Sequence, residues 1–121
     1  MSYHLFLDDE RNPQDVFWIA LPCPSEPWLI VRSYGAFVEM IMCRGLPEFV
    51  SFDHDLGDTD TRTGMDCAKW IVEFCLDNNA RLPGFAAHSK NDPGYDNIAG
   101  LLSAFEKHQQ SALLPRLFPA R

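Results

Sequence analysis

Three short apolar runs in this 121-residue chain each stop at residues able to hold a cation or move a proton. Leu5 to Asp9 reads LFLDD, Phe49 to Gly57 reads FVSFDHDLG, and Phe85 to Ser89 reads FAAHS. Carboxylates and imidazoles bury badly unless something pairs with them. Asp8, Asp9, Asp53 and Asp55 gathered on one rim would repel one another and raise one another's pKa values unless a cation or a basic side chain compensated. A divalent metal is the economical answer. Carboxylate oxygens suit Mg2+, Mn2+ or Ca2+, and an imidazole in the set moves the preference toward Mn2+, Fe2+ or Zn2+. A cation so held can lower the pKa of a water and clamp a phosphoryl oxygen, while His54 or His88 serves as general acid or base.

The segment SKNDPG after the third run leads into a helical pattern, where free backbone N–H groups favour a phosphate, and Ser89 and Lys90 strengthen that reading. Arg11 and Arg62 fall on loops that would border the same rim and add positive charge for an anionic substrate. Plainer roles compete for other residues. Asp9, Asp15 and Asp96 can cap helices, Ser33 likewise, Asp58 and Asp60 read as solvated loop charges, and His4 and His108 as ordinary surface residues.

The elements that must position these residues follow from periodicity and punctuation. Strands are expected at His4–Leu7, Trp28–Ser33, Glu48–Phe52 and Gly84–His88. A brief helix is expected over Asp15–Ala20, before the proline-broken LPCPSEP. Ser33 caps a helix whose apolar residues Phe37, Val38, Ile41 and Met42 follow helical spacing and which stops at Gly45. Thr63 and Asp66 form a capping box for a second helix, with Ala68, Ile71, Val72 and Cys75 on one face. Ile98, Leu101, Leu102 and Phe105 mark a third, and SALLPRLFPAR reads as an irregular tail laid over the surface. Alternating strands and helices predict an α/β fold: a receiver- or flavodoxin-like three-layer sandwich with a parallel sheet of four to five strands. In an order of 2-1-3-4 the three polar clusters converge at the carboxyl ends of strands, where such sheets bind ligands.

The length allows one domain, residues 1–121, with a core over about 4–108 and a tail over 109–121. No apolar run approaches the roughly 20 residues of a membrane helix, and the start MSYHLFLDDE lacks a secretory pattern, so a cytoplasmic protein is expected. Cys23, Cys43, Cys67 and Cys75 have no zinc spacing and read as reduced, mostly buried hydrophobes. A net charge of -7 argues against long duplex nucleic acid as a partner. Exposed sheet edges admit a homodimer.

LFLDDER, SFDHDLG and AHSKNDPG, in that order, resemble the receiver domains of two-component signalling. That resemblance matches Asp8 and Asp9 to the acidic pair that holds Mg2+, Asp53 to the phosphate-accepting aspartate and Ser89 to the hydroxyl. Gly57 stands where receivers have proline, and no fifth strand supplies their lysine. The histidines give a closer likeness: LFLDDERNP, SFDHDLG, TGMDCAKWIVE and HSKNDPGYDNI, from about Leu5 to Leu102, are similar to the cyclic-phosphate processing receiver-like family of bacteria and their phages. The resemblance implies a metal-dependent phosphoesterase acting on cyclic phosphates of nucleotides or RNA ends. Under it Asp8, Asp9, Asp53 and Asp55 hold the metal, with Mg2+ or Mn2+ ahead of Zn2+. His54 and His88 exchange protons, with Asp53 as an alternative nucleophile, and Ser89, Lys90 and Asn91 bind phosphate oxygens. Two rival readings are a signalling receiver phosphorylated on Asp53 and a nucleotide- or protein-binding factor without turnover.

Overall fold

The computed structural model describes residues 3–16, 21, 28–53, 56, 62–88 and 92–117, with side chains for all of these except 92–95 and 112–117. Strands β1 (His4–Leu7), β2 (Leu29–Val31), β3 (Phe49–Phe52) and β4 (Gly84–Ala87) form one parallel sheet in the order β2-β1-β3-β4. Helix α1 (Tyr34–Arg44) joins β2 to β3, α2 (Gly64–Asp77) joins β3 to β4, and α3 (Asp92–Leu117) follows β4. This is the expected receiver-like α/β architecture, with winding that reverses between β1 and β3.

Successive strand residues point to opposite faces, and the two faces here differ. Leu5, Leu7, Val50 and Phe52 pack with Phe37 and Ile41 of α1, Cys67, Ala68 and Ile71 of α2, and Ile98 and Leu102 of α3 in one buried core. Each fully buried Leu, Ile, Val or Phe among them stabilises the fold by on the order of 1.5–3 kcal/mol. The residues between them, His4, Phe6, Phe49 and Ser51, carry rings and a hydroxyl to the other face. There Trp28 packs within 5.1 Å of the His4 ring, 6.1 Å of Phe6 and 6.0 Å of Phe49.

Local chemistry sets the helix ends. Ser33 Oγ accepts from the Ala36 N–H at 3.2 Å, and Gly45, at φ +83°, closes α1 in a conformation that costs glycine little. Thr63 and Asp66 cap α2 reciprocally, Thr63 N–H donating to Asp66 Oδ2 at 2.8 Å and Asp66 N–H to Thr63 Oγ1 at 3.3 Å. Gln109, late in α3, accepts from the Leu82 N–H at 2.9 Å and donates to the Ala80 carbonyl at 2.8 Å, fixing the approach to β4.

Several expectations need correction. Met42 is 65% exposed, because the inward stripe of α1 is Phe37 and Ile41 and Met42 lies about 100° further round the helix. His4 is buried, not a surface residue, since its strand position turns it toward Trp28. Cys67 and Cys75 are buried, with burial pushing the Cys75 thiol up to about 11, but Cys43 is exposed; Cys23 lies outside the described residues. A 3-10 turn occupies Pro13–Asp15, and most of the brief helix expected over Asp15–Ala20 lies outside the described residues. The irregular tail is instead helix to Leu117, because Ala112, Leu113 and Leu114 propagate a helix well. Among the described residues no helix is long and apolar enough to cross a membrane.

Candidate metal centre

Asp8, Asp53 and His88 each stand one residue past a strand, held by a ladder that continues just beyond it. Asp8 N–H donates to Val31 O at 3.1 Å, Asp53 N–H to Leu7 O at 3.0 Å, and His88 N–H to Phe52 O at 2.8 Å. Backbone pairing therefore aligns the three residues across β1, β3 and β4. Each offers one ligating atom, and these atoms lie within 4.8 Å of one another. Asp8 and His88 are 0% exposed and Asp53 4%.

The Asp8 carboxylate is surrounded by donors. Its Oδ1 accepts from the backbone N–H groups of Glu10 at 2.9 Å and Arg11 at 2.8 Å. Its Oδ2 is 3.0 Å from His88 Nε2 and 3.7 Å from Arg11 Nη1. Burial pushes its pKa up, but the hydrogen bond from His88, the two backbone amides and the attraction of His88 prevail and hold it at about 2. Burial acts on Asp9 as well, and there the carboxyl is raised.

The loop after β1 is tied to β2 by Arg32. Its Nη1 donates to the carbonyls of Asp8 at 3.2 Å and Arg11 at 2.6 Å, and its Nη2 to Asn12 Oδ1 at 2.7 Å. The planar guanidinium supplies several donors in fixed directions, so one side chain spans the turn that presents Asp8. His88 is held as firmly. Its Nδ1 is 2.6 Å from Ser51 Oγ, and its ring stacks on Phe6 at 4.4 Å between centroids and 7° between planes.

Of the residues singled out from sequence, the structure brings together Asp8, Asp53 and His88. Asp9 follows Asp8 but does not join the group of three, being half-buried beside it. His54, Asp55, Ser89, Lys90 and Asn91 lie outside the described residues. Arg11 reaches Asp8, as its rim position suggested, whereas Arg62 lies over the Tyr34 ring, 4.7 Å from its centroid. His88 enters the group as a ligand candidate, a role the sequence reading had reserved for carboxylates. Sequence reasoning missed Ser51 and Arg32. Ser51 carried a signal, since it is the one hydroxyl inside the apolar strand FVSF, and a buried hydroxyl needs a partner.

Two buried carboxylates and an imidazole with fixed backbones make a donor set suited to a divalent cation, and the imidazole favours Mn2+ or Zn2+ over Mg2+. A family model of the cyclic-phosphate processing receiver domain matches residues 3–104. The chain belongs to this family. The part matched as a cyclic-phosphate processing receiver domain begins just before β1, ends inside α3, and contains all three members of the centre. No curated protein and no solved structure matches the chain.

Proposed function

We propose that this protein is a divalent-cation-dependent phosphoesterase that opens a cyclic phosphate on a nucleotide or an RNA end. The observation that carries the reading is the buried group of Asp8, Asp53 and His88 at three adjacent strand ends, in a chain of the cyclic-phosphate processing receiver domain family. Asp8, Asp53 and His88 would hold the cation, with Asp55 beside them in sequence. Bound there, the cation supplies Lewis acidity, neutralising phosphoryl oxygens and easing deprotonation of water. The chain's own residues do the rest. Asp8 is kept ionised and aimed by Glu10 N–H and Arg11 N–H. Phe6 and Ser51 fix the His88 ring, and Arg11 brings positive charge to the rim. His54 exchanges protons with the attacking water or the leaving oxygen, and Ser89, Lys90 and Asn91 bind phosphate oxygens. The substrate is small, because an overall charge of -7 opposes a long polyanion. The rival reading, phosphorylation of Asp53 as in a signalling receiver, uses the same carboxylates but gives the buried imidazole no part.

The test is the conversion of 2',3'-cyclic mononucleotides and cyclic-ended oligonucleotides to phosphomonoesters, followed by 31P NMR in chelator-stripped protein supplied with Mg2+, Mn2+ or Zn2+. Turnover that needs a cation and falls at least a hundred-fold in Asp53→Asn is expected, since loss of a ligand removes the cation's contribution. Folded protein that turns over no cyclic phosphate with any of these cations overturns the proposal. Stable acyl phosphate on Asp53 from a small phosphodonor would transfer the weight to the receiver reading.

A further inference from the structure

Arg32 is exposed, yet its guanidinium is committed to a single turn. Nη1 donates to the carbonyls of Asp8 at 3.2 Å and Arg11 at 2.6 Å, and Nη2 to Asn12 Oδ1 at 2.7 Å. A guanidinium has donors and no acceptor, so it cannot ligate a cation, and its positive charge opposes one nearby. We infer that Arg32 is a positioning residue: by clamping the turn after β1 it sets the aim of the Asp8 carboxylate and so raises the affinity of the centre for a divalent cation.

The clamp has a rigid base. Val31 O accepts the Asp8 N–H at 3.1 Å, so two successive residues, Val31 through its backbone and Arg32 through its side chain, hold both backbone polar groups of Asp8. Arg32 is fixed on its other side by Ser33, which caps α1 and whose carbonyl accepts the Phe37 N–H at 3.0 Å. Within the turn, Asp8 Oδ1 accepts the N–H groups of Glu10 and Arg11, and Asn12 N–H donates to Asp15 Oδ2 at 2.8 Å. The carbonyls of Asp8 and Arg11 bracket those first two amides in the chain, and peptide planarity limits how far the amides can turn once the carbonyls are held. With Oδ1 so engaged, Oδ2 faces His88 Nε2 at 3.0 Å. Loss of the clamp would give the carboxylate a freedom that a cation must then take away, and partners standing one step behind a ligand change metal affinity roughly ten- to a hundred-fold. Lysine cannot stand in, since one ammonium lacks the planar fork that reaches two carbonyls and an amide oxygen together. The cation half of this inference rests on the proposed metal-dependent function; the hold on the turn in the cation-free protein does not.

Charge and positioning predict opposite signs, which makes the inference testable. Chelator-stripped wild type, Arg32→Gln and Arg32→Lys are compared by calorimetric titration with Mn2+ and, without cation, by NMR amide exchange at Glu10 and Arg11; Thr63→Ala serves as a control destabilised away from the centre. In both Arg32 variants Mn2+ affinity is expected to fall roughly ten- to a hundred-fold and the two amides to exchange about ten-fold faster or more, while Thr63→Ala keeps the wild-type affinity. A purely electrostatic role would instead tighten Mn2+ binding in Arg32→Gln, where a repelling charge is gone, and leave Arg32→Lys unchanged. That pattern overturns the inference, as does a folded variant in which affinity or exchange alone changes, or an equal loss of affinity in Thr63→Ala. Should Arg32→Gln not fold, Arg32→Lys carries the same two readouts. If the wild type binds no Mn2+, the metal-dependent reading and the cation half fall together, and the exchange rates still judge whether Arg32 holds the turn.

Discussion

His4 and His88 are both buried on the same face of the sheet, at its two opposite ends, and they live in different chemistry. Among the described residues His4 meets rings, Trp28 at 5.1 Å and Phe49 at 6.4 Å. His88 also stacks on a ring, Phe6, but its two nitrogens face a hydroxyl and a carboxylate. Burial is common to the two, so burial does not mark a functional imidazole. The difference comes from the strand ends. At the carboxyl end three strands each deliver a polar residue, whereas at the amino end the sheet delivers aromatic rings. A parallel sheet has all its strand termini of one kind on one rim, so chemistry gathers there and packing suffices at the other.

The largest effect expected from breaking this contrast is in His88→Ala set against His4→Phe. Losing the His88 ring leaves a void on Phe6 and leaves Ser51 and Asp8 short of a partner, a cost of about 3 kcal/mol, with Mn2+ binding lost. His4→Phe keeps a ring among rings and costs less than about 1.5 kcal/mol, with Mn2+ binding retained. Urea denaturation and calorimetric titration measure both, and equal costs with equal Mn2+ affinities would erase the distinction.

A smaller effect sharpens it by pH. Asp8 sits at about 2 in the folded protein, below the ordinary 3.8. A carboxyl whose pKa is lower folded than unfolded stabilises the fold fully above its unfolded value, and the contribution fades as pH falls toward the folded one. Cation-free protein should thus lose stability on going from about pH 5 to about pH 2. In denaturation followed across that range, Asp8→Asn should flatten the slope and His4→Phe should leave it in place. A slope unchanged by Asp8→Asn would show that other carboxyls govern it. The smallest effect belongs to neither histidine: Thr63→Ala, which removes the cap of α2, should cost about 1 kcal/mol and leave Mn2+ affinity where it was.

The strand positions, helix caps and sheet order were legible because each rests on local rules: apolar runs ended by polar residues, Ser33 and Thr63 ahead of helical spacing, Gly45 after it. Asp8, Asp53 and His88 were legible as a group because topology alone carries strand ends to one rim. The rest depended on what stands across the sheet. Nothing near Ser51 in the chain announces His88, which is 37 residues away and reaches it only after β3 and β4 pair. Arg32 likewise acts on a loop about 20 residues earlier. His4 read as a surface residue because its burial comes from Trp28, on the neighbouring strand's approach. The end of α3 was misread for the opposite reason, a local signal taken too strongly, since a proline removes its own N–H bond without undoing the turns that precede it.

Gln109 lies five residues beyond the span matched by the family, yet its amide group completes two backbone bonds ahead of β4. A shortened chain ending at residue 104 would keep every member of the metal centre and leave the Leu82 N–H and the Ala80 carbonyl to find water. The approach to β4, the strand that leads to His88, would then lose two of the bonds that fix it, so a segment outside the matched span helps hold this candidate ligand in place.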